Sequence, residues 1–212
     1  MLISIAHTKG GVGKSTIALN LAIQLQDEYN IEIVDLDFQQ TVSYTNRLRD
    51  KALKVKSFDS LKKLEKYILN DNNNRISIID VGGFDSDINR MAIIMSDIVI
   101  TPVSDGATEI LGLIRFEKIL DEISKTMNEN IKTMVLINNI DPKKRKLDDL
   151  IDYIKENKHF NLFKTVLRRR ADYGKALDKG LGVIEYDKKS KASKEFISFS
   201  KEVEKTIKKV IS

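Results

Sequence analysis

Hydrophobic residues recur along the chain in short runs that are bounded by polar residues. Runs of this length, rich in isoleucine and valine, are typical of strands buried on both faces of a sheet. Strands are predicted within Leu2–Ala6, Ile31–Asp37, Arg75–Gly83, Asp97–Val103, Lys132–Asn139 and Phe163–Leu167. Several of these runs lead into an acidic or amide residue, which places polar side chains at the strand ends.

Most of the segments between these runs carry apolar residues at a spacing of three and four, which is typical of helices with one buried face. The first segment, Ile17–Leu25, is instead apolar on most faces. Helices are predicted within Ile17–Leu25, Ser60–Leu69, Asp87–Ser96, Glu109–Glu129, Leu147–Asn157 and Phe196–Ile211, with a polar loop over 70–74. The alternation of strands and helices predicts an α/β fold. We expect a mostly parallel, twisted sheet of about seven or eight strands with helices on both faces.

A glycine-rich segment joins the first predicted strand to the first predicted helix. It reads Lys9, Gly10, Gly11, Val12, Gly13, Lys14, Ser15 and Thr16. Glycines let the backbone curl around a phosphate, so that its N–H groups and the helix N-terminus point at the anion. Lys14 would add positive charge at the β- and γ-phosphates, and the Ser15 hydroxyl would bind Mg²⁺. The strand, loop and helix together therefore predict a nucleotide phosphate site.

Two acidic residues follow predicted strands at positions where they could serve such a site. Asp37 comes after the second strand, and Asp80 ends an isoleucine-rich run later in the chain. The carboxyl ends of parallel strands form the edge at which open α/β folds bind ligands. A carboxylate at the end of a buried strand needs a partner, and Mg²⁺ held through water is a natural one. A purely structural role for Asp37, as a helix cap, is the alternative.

Composition narrows the class of protein. The 212 residues suffice for one domain, and 42% hydrophobic with 32% charged residues describe a globular chain. There is no cysteine, so thiolate chemistry and disulfides are excluded. The two histidines have no second ligand at metal-binding spacing, no run is long enough to span a bilayer, and the N-terminus lacks a secretory pattern.

The phosphate loop departs from the general pattern G-x-x-x-x-G-K-[ST], because Thr8 stands at the first glycine position and a second lysine, Lys9, precedes the glycines. This arrangement resembles the deviant phosphate loop of the ParA/MinD family of ATPases. The segments 35–40 and 80–83 also resemble family motifs, with Phe38 in place of a usual proline. The resemblance extends over nearly the whole chain. It implies a P-loop NTPase fold, with 1–212 forming a single ATPase domain that lacks an N-terminal helix-turn-helix domain.

The resemblance also implies roles for individual residues. ATP would be bound and hydrolysed with Mg²⁺ held by Ser15 and Asp80, while Asp37 would orient the attacking water. Lys9 would reach across a dimer interface to the nucleotide of the partner subunit. Gly82 would bring a backbone N–H close to the γ-phosphate. Asn138 would contact adenine, although an asparagine at a strand end can equally close a turn.

Basic residues cluster in three segments, and the net charge of +5 is small beside them. The clusters lie at Lys143–Lys146, Arg168–Arg170 and Lys188–Lys194. By resemblance, the second and third would contact double-stranded DNA without sequence preference in an ATP-bound homodimer. The candidate DNA-binding residues are Arg168, Arg169, Arg170, Lys189 and Lys191. A DNA-partition ATPase of this kind would be cytoplasmic, associated with the nucleoid, and stimulated by a centromere-binding ParB-type partner.

Two other functions share these motifs. A MinD-like ATPase that positions proteins on membranes would need an amphipathic C-terminal helix, but the apolar spacing within Phe196–Ile211 suits packing on the body of the protein. Binding to a membrane is therefore not expected. A ParA-like adaptor for conjugation or secretion of mobile DNA shares every motif, and the neighbouring gene would distinguish it from a partition protein.

Overall fold

The computed structural model describes residues 1–70 and 75–211, so the loop predicted over 70–74 falls outside the described residues apart from Asn70. Seven strands in the described ranges form one sheet, and every pairing is parallel. The strands are β1 (Leu2–Ile5), β2 (Ile31–Asp35), β3 (Lys54–Lys56), β4 (Ile76–Asp80), β5 (Ile98–Val103), β6 (Thr133–Ile137) and β7 (Phe160–Leu162). The α/β class and the strand number expected from the sequence are thereby confirmed.

Helices cover both faces of the sheet. They are α1 (Lys14–Leu25), α2 (Thr41–Arg47), α3 (Leu61–Leu69), α4 (Asp87–Ile94), α5 (Ala107–Met127), α6 (Asp148–Glu156), α7 (Ala171–Leu177), α8 (Val183–Tyr186) and α9 (Lys191–Ile211). Within the described residues, every helix is too short or too polar to span a bilayer.

The strand order places β1 at the centre of the sheet. The order is β3-β2-β4-β1-β5-β6-β7. The strands β2 to β4 therefore lie on one side of β1, and the strands β5 to β7 lie on the other. Ile5 pairs with Asp80, and Asp80 pairs with Asp35 on the other side. Parallel strands end together, so this register brings the loops after β1, β2 and β4 to one edge.

Successive residues of a strand pack into two different hydrophobic layers, one on each face of the sheet. Ile33 packs with α1 and α9, whereas its neighbour Val34 packs with the layer beneath α3 to α6. The apolar stripe of α9 is fully buried, as the sequence spacing predicted. Its members are Phe196, Phe199, Val203 and Ile207.

The prediction of a strand at Phe163–Leu167 is wrong. The last strand is Phe160–Leu162, and beyond it isolated hydrogen bonds reach β6, from the N–H groups of Phe163 and Leu167 to the carbonyl oxygens of Val135 and Ile137. The carboxylate of Glu202 on α9 accepts hydrogen bonds from the N–H groups of Lys164 and Thr165, each at 2.8 Å. These N–H groups are therefore satisfied by a side chain instead of a neighbouring strand.

One strand was not predicted at all. β3 is a short edge strand whose sequence, Lys-Val-Lys, contains a single apolar residue. Only its pairing with β2 defines it, because an exposed edge needs no apolar run.

Phe199 is a test of how α9 is held to the body. Its ring is 0% exposed and meets the rings of Phe163 and Phe196 edge-on, with centroids 5.2 and 5.5 Å away. We expect Phe199→Ala to lower the free energy of unfolding by about 3–5 kcal/mol, because a buried aromatic ring leaves a cavity. Urea unfolding followed by circular dichroism measures this change. Exposed Lys201→Ala on the same helix is the control, with an expected change within about 0.5 kcal/mol. A loss below about 1 kcal/mol for Phe199→Ala would show that α9 is not part of the cooperative core.

Candidate functional site

The loop between β1 and α1 is shaped by two glycines with left-handed backbone angles. Gly11 has φ +79° and Gly13 has φ +97°, a region that side chains with a Cβ rarely adopt. A Cβ on Gly13 would also lie 2.6 Å from the Asn138 amide nitrogen. Gly13 stands directly before α1, whose first N–H groups lack a side-chain cap. The loop thus presents unpaired backbone donors and a helix N-terminus to one anion site.

Lys14 holds a buried positive charge inside this loop. Lys14 is only 4% exposed, and its Nζ donates to the carbonyl oxygen of Lys9 at 3.1 Å. Burial lowers the pKa of Lys14, and the nearby carboxylates of Asp80 and Asp37 oppose that shift. One carbonyl acceptor leaves two of the three ammonium donors for a ligand.

Asp80 ends β4 in full burial. Neither carboxylate oxygen has a hydrogen-bond partner among the described residues. Burial raises the pKa of Asp80 to about 7, with the nearby Asp35 adding to the rise and Ser15 and Lys14 opposing it. A buried carboxylate without partners is costly to keep charged unless a cation approaches it. The donor set of Ser15 and Asp80 therefore fits a hard divalent cation such as Mg²⁺.

Asp35 organises the loop that carries Asp37. Its carboxylate accepts from the backbone N–H of Asp37 at 3.2 Å, and from the N–H and hydroxyl of Ser43 at 2.9 and 2.6 Å. The Asp37 carboxylate in turn accepts from the N–H of Gln39 at 2.9 Å. Phe38, between these two residues, is 90% exposed. The turn is thus fixed by carboxylate hydrogen bonds instead of by a proline ring.

Asp37 and the phosphate loop line one open cavity of about 590 Å³. We call it the cradle. Its lining residues are Gly10, Gly11, Gly13, Lys14, Ser15, Thr16, Asp37, Phe38, Gln39, Thr41, Gly83 and Phe84. The structure thus brings together the glycines, Lys14, Ser15, Thr16 and Asp37, as the sequence predicted. A phosphate chain placed there would meet a lysine, a hydroxyl and a carboxylate in one volume.

Gly83, and not the predicted Gly82, belongs to the cradle. A Cβ on Gly83 would lie 3.1 Å from the backbone nitrogen of Gly10 and 3.4 Å from Lys14 Nζ. Gly82 instead lies against Leu36 and Asn89. The sequence indicated the pair of glycines but not which of them faces the loop.

A second cavity, of about 190 Å³, adjoins the phosphate loop on its other side. Asn138 stands at its floor and donates from Nδ2 to the carbonyl oxygen of Val12 at 2.8 Å. The lining residues are Gly11, Val12, Gly13, Thr16, Ile17, Asn138, Asn139, Leu167, Arg168, Arg169, Arg170 and Tyr173. Asn138 thus braces the loop, and Asn139 and Tyr173 are lining residues that sequence reasoning missed. Asn139 has a left-handed φ of +59°, a conformation that asparagine adopts more readily than most residues. The Asn138-Asn139 pair was therefore the available sequence signal for a turn at this cavity.

The predicted DNA-binding residues lie in two different settings. Arg168 donates to the carbonyl oxygens of Asp141 and Lys144, and Arg170 pairs with Glu195 at 2.5 Å. Arg169 is 61% exposed in its side chain and pairs with Asp141. Lys189 and Lys191, by contrast, are both exposed near the start of α9.

Lys9 lies outside the cradle. Its amino group forms an ion pair with Glu109 and donates to the hydroxyl of Thr108 at 3.0 Å, both in the first turn of α5. It lines a separate groove of about 300 Å³ together with Leu111 and Arg115. The sequence indicated Lys9 but gave no sign of this intramolecular partner.

Comparison with known proteins agrees with this site. Residues 3–193 match the family described as the CobQ/CobB/MinD/ParA nucleotide-binding domain. The chain is 22% identical over 201 residues to maintenance of carboxysome distribution protein A from Halothiobacillus neapolitanus, with 92% of each chain covered. It is 26% identical over 216 residues to a ParA family protein from Mycoplasma pneumoniae, across 76% of this chain and 79% of that one.

The fold is also that of a solved relative. The septum site-determining protein MinD from Pyrococcus horikoshii, solved with Mg-ADP, superposes with a TM-score of 0.74 at 18% identity, and 95% of each chain is covered. The resemblance seen in the sequence is thereby confirmed. The chain belongs to the CobQ/CobB/MinD/ParA nucleotide-binding family, as a P-loop ATPase of the ParA/MinD type.

Proposed function

We propose that the protein is a ParA-type, Mg²⁺-dependent ATP hydrolase for DNA partition, which pairs as a homodimer on ATP and then binds double-stranded DNA without sequence preference. The observation that carries the hydrolase is the buried lysine of the cradle together with the buried carboxylate at the end of β4. Lys14 and Asp80 are both withdrawn from water, and each keeps hydrogen-bonding capacity that the described residues do not use. A nucleoside triphosphate with its cation would satisfy both groups at once, because phosphate oxygens accept from Lys14 and the cation offsets the charge of Asp80.

The chain's own residues divide the work of hydrolysis. The loop N–H groups and Lys14 hold the phosphate oxygens and stabilise the charge that builds on them. Ser15 and Asp80 would hold Mg²⁺, Asp80 through water, and the bound cation supplies further positive charge at the phosphates. Asp37 stands at the cradle on a turn that is pinned by Asp35, where its carboxylate orients the attacking water. Together these residues position the attacking water and stabilise charge on the phosphate oxygens, which is most of what phosphoryl transfer requires.

The second cavity accommodates the nucleoside. It lies directly beside Gly13, so a phosphate chain in the loop leads the base and ribose into it. Asn138 spends one amide donor on Val12, which leaves its other donor and its oxygen for adenine. Arg168 and Arg170 line the same cavity, and this placement favours them as walls of the nucleoside site over contacts to DNA.

Pairing of two subunits on ATP places Lys9 of one at the nucleotide of the other. The position of its side chain outside its own cradle supports this role, because its amino group contacts α5 and not its own phosphate site. Hydrolysis removes the γ-phosphate on which that contact depends, and the subunits separate. A centromere-binding ParB-type protein would stimulate this step.

The DNA surface is best placed along α9. Its outward side carries lysines that are all exposed and, within the described ranges, form no ion pair: Lys191, Lys194, Lys201, Lys205 and Lys208. Two of the three acids of the same helix contact the body, where Glu195 binds Arg170 and Glu202 binds the backbone at 164–165; the third, Glu204, is partly exposed. Unpaired positive charge along one helix suits a line of phosphates. Lys189, which is exposed, and Arg169, which is exposed but paired with Asp141, are further candidates for this surface.

A membrane is the poorer partner for α9. An interfacial helix must insert its apolar face between lipid headgroups. The apolar face of α9 is already buried in the core, with Phe196, Phe199, Val203 and Ile207 each 0% exposed. Apart from the exposed Val210 and Ile211 at its end, the outward side of α9 is polar and rich in lysine, which duplex DNA can meet without any apolar insertion. The proposal therefore favours a DNA cargo over MinD-like membrane positioning.

Asp37→Ala tests the hydrolytic assignment. We expect the variant to bind ATP normally and to hydrolyse it at least about 100-fold more slowly, because only water positioning is lost. Calorimetry measures binding and phosphate release measures turnover. Lys14→Ala is the matched comparison and should lose ATP binding itself, because the phosphate charge is no longer met. Parental turnover in Asp37→Ala would assign the carboxylate a structural role only.

Lys9→Ala tests the pairing of subunits. The variant should bind ATP as a monomer, because its own cradle is complete and only the contact with the partner's nucleotide is removed. Sedimentation velocity with ATP and with ADP separates monomer from dimer. An ATP-dependent dimer of Lys9→Ala with the same dissociation constant as the parent would contradict the cross-subunit role of Lys9.

Removal of lysines from α9 tests the DNA surface. Lys191→Ala combined with Lys201→Ala should weaken ATP-dependent binding on two unrelated duplexes equally and reduce the slope of log affinity against log salt by about one per lysine removed. Fluorescence anisotropy across a salt series gives both quantities. Lys62→Ala combined with Lys66→Ala removes the same charge from exposed sites on α3 and should change neither. Equal losses in the two pairs would mean that net charge, and not α9, governs binding. Equally tight DNA binding with ADP and with ATP would show that DNA binding does not depend on the bound nucleotide.

A further inference from the structure

The front lysine of the phosphate loop is held by its own subunit. Lys9 Nζ pairs with a carboxylate oxygen of Glu109 and donates to the Thr108 hydroxyl at 3.0 Å. The lysine side chain is 33% exposed and the glutamate side chain 22% exposed, so the pair is partly shielded from water. Glu109 lies in the first turn of α5, where the helix dipole favours a negative charge.

The path of the lysine side chain along α5 depends on a glycine. A Cβ on Gly112 would lie 3.4 Å from Lys9 Cβ, 3.5 Å from Lys9 Cδ and 2.9 Å from the His7 ring. The Thr8 hydroxyl donates to the Gly112 carbonyl oxygen at 3.2 Å. His7 accepts from the backbone N–H of Lys9 at 2.9 Å and stacks on Phe116. Because the helix surface is bare at Gly112, the front of the loop lies flat on α5 and delivers the ammonium to Glu109.

Glu109 is poorly placed to lose its lysine. Its second carboxylate oxygen is buried and has no hydrogen-bond partner among the described residues. Among the described residues, the carboxylate therefore relies on Lys9 for its side-chain polar contact. When Lys9 leaves, part of that carboxylate stays shielded from water without its counter-charge, which makes departure unfavourable.

We propose that Glu109 is a positioning residue that holds Lys9 on its own subunit, so that pairing of two ATP-bound subunits must first break two Lys9–Glu109 contacts. This inference rests on the proposed role of Lys9 at the partner's nucleotide. The two contacts raise the threshold for dimer formation. After hydrolysis, Glu109 recaptures Lys9 and favours the separated subunits. Glu109 thereby competes with the γ-phosphate for one ammonium group.

Glu109→Gln tests the inference directly. The amide keeps the shape of the side chain and removes its charge, so Lys9 is released at lower cost. A partly exposed ion pair accounts for roughly a threefold change in an equilibrium constant, and two pairs give a dimer that is about tenfold tighter. Sedimentation velocity with a slowly hydrolysed ATP analogue measures the dimer dissociation constant. Thr108→Val, which removes only the hydroxyl contact, should shift it in the same direction and by less.

A matched control removes the same charge at the far end of the same helix. Glu129 is exposed just beyond α5, and Glu129→Gln should leave the dissociation constant unchanged. Urea unfolding of each variant checks that the fold is retained. A dimer that is unchanged or weaker in Glu109→Gln would overturn the inference, because Glu109 would then not restrain Lys9 from reaching the partner.

The double variant Lys9→Ala with Glu109→Gln separates this inference from the function on which it rests. Without Lys9 there is nothing to release, so Glu109→Gln should have no effect in that background. A tighter dimer in the double variant than in Lys9→Ala would show that Glu109 acts through another group. If Lys9→Ala alone dimerises like the parent, the proposed function of Lys9 fails. If Lys9→Ala is monomeric and Glu109→Gln is not tighter than the parent, only the restraint by Glu109 fails.

Discussion

The structure depends on the burial of opposite charges that the fold itself leaves incompletely satisfied. Lys14 and Asp80 lie at the carboxyl edge of the sheet with little access to water, and the described residues use only part of their hydrogen-bonding capacity. Such an arrangement costs free energy that the surrounding core must supply. The register that aligns β1, β2 and β4, the left-handed glycines and the packed helices all hold these charges in place. A phosphate chain and a cation turn this cost into binding.

The parts of the site that could be predicted from sequence are local in the chain. The phosphate loop follows from eight consecutive residues, and Asp80 follows from the apolar run before it. The parallel sheet follows from strands and helices in alternation. These features are set by neighbours in sequence, where backbone conformation and periodicity act.

What could not be predicted depends on contacts between distant segments. Lys9 meets Glu109 across 100 positions, and Glu202 draws the backbone at 164–165 away from the sheet. The arginines of the cationic run 168–170 all line a cavity beside the phosphate loop, and Arg168 and Arg170 are paired with other groups of the same chain. A run of charge shows which groups are present, and tertiary packing decides which partner each one meets.

The brace between Asn138 and Val12 has a mechanical consequence. From Asn138 the chain continues to Ile140, whose carbonyl oxygen accepts from the Arg169 N–H at 2.8 Å, and the adjacent Arg170 pairs with Glu195 on α9. The nucleotide loop and the lysine helix are thus linked within one body by a short series of hydrogen bonds, without an intervening hinge. A change of nucleotide has little freedom to reorient α9 within a subunit. In the proposed partition function, control over DNA would then act through valency: one α9 would bind weakly, and two α9 helices held together in a dimer would bind more tightly through a raised effective concentration.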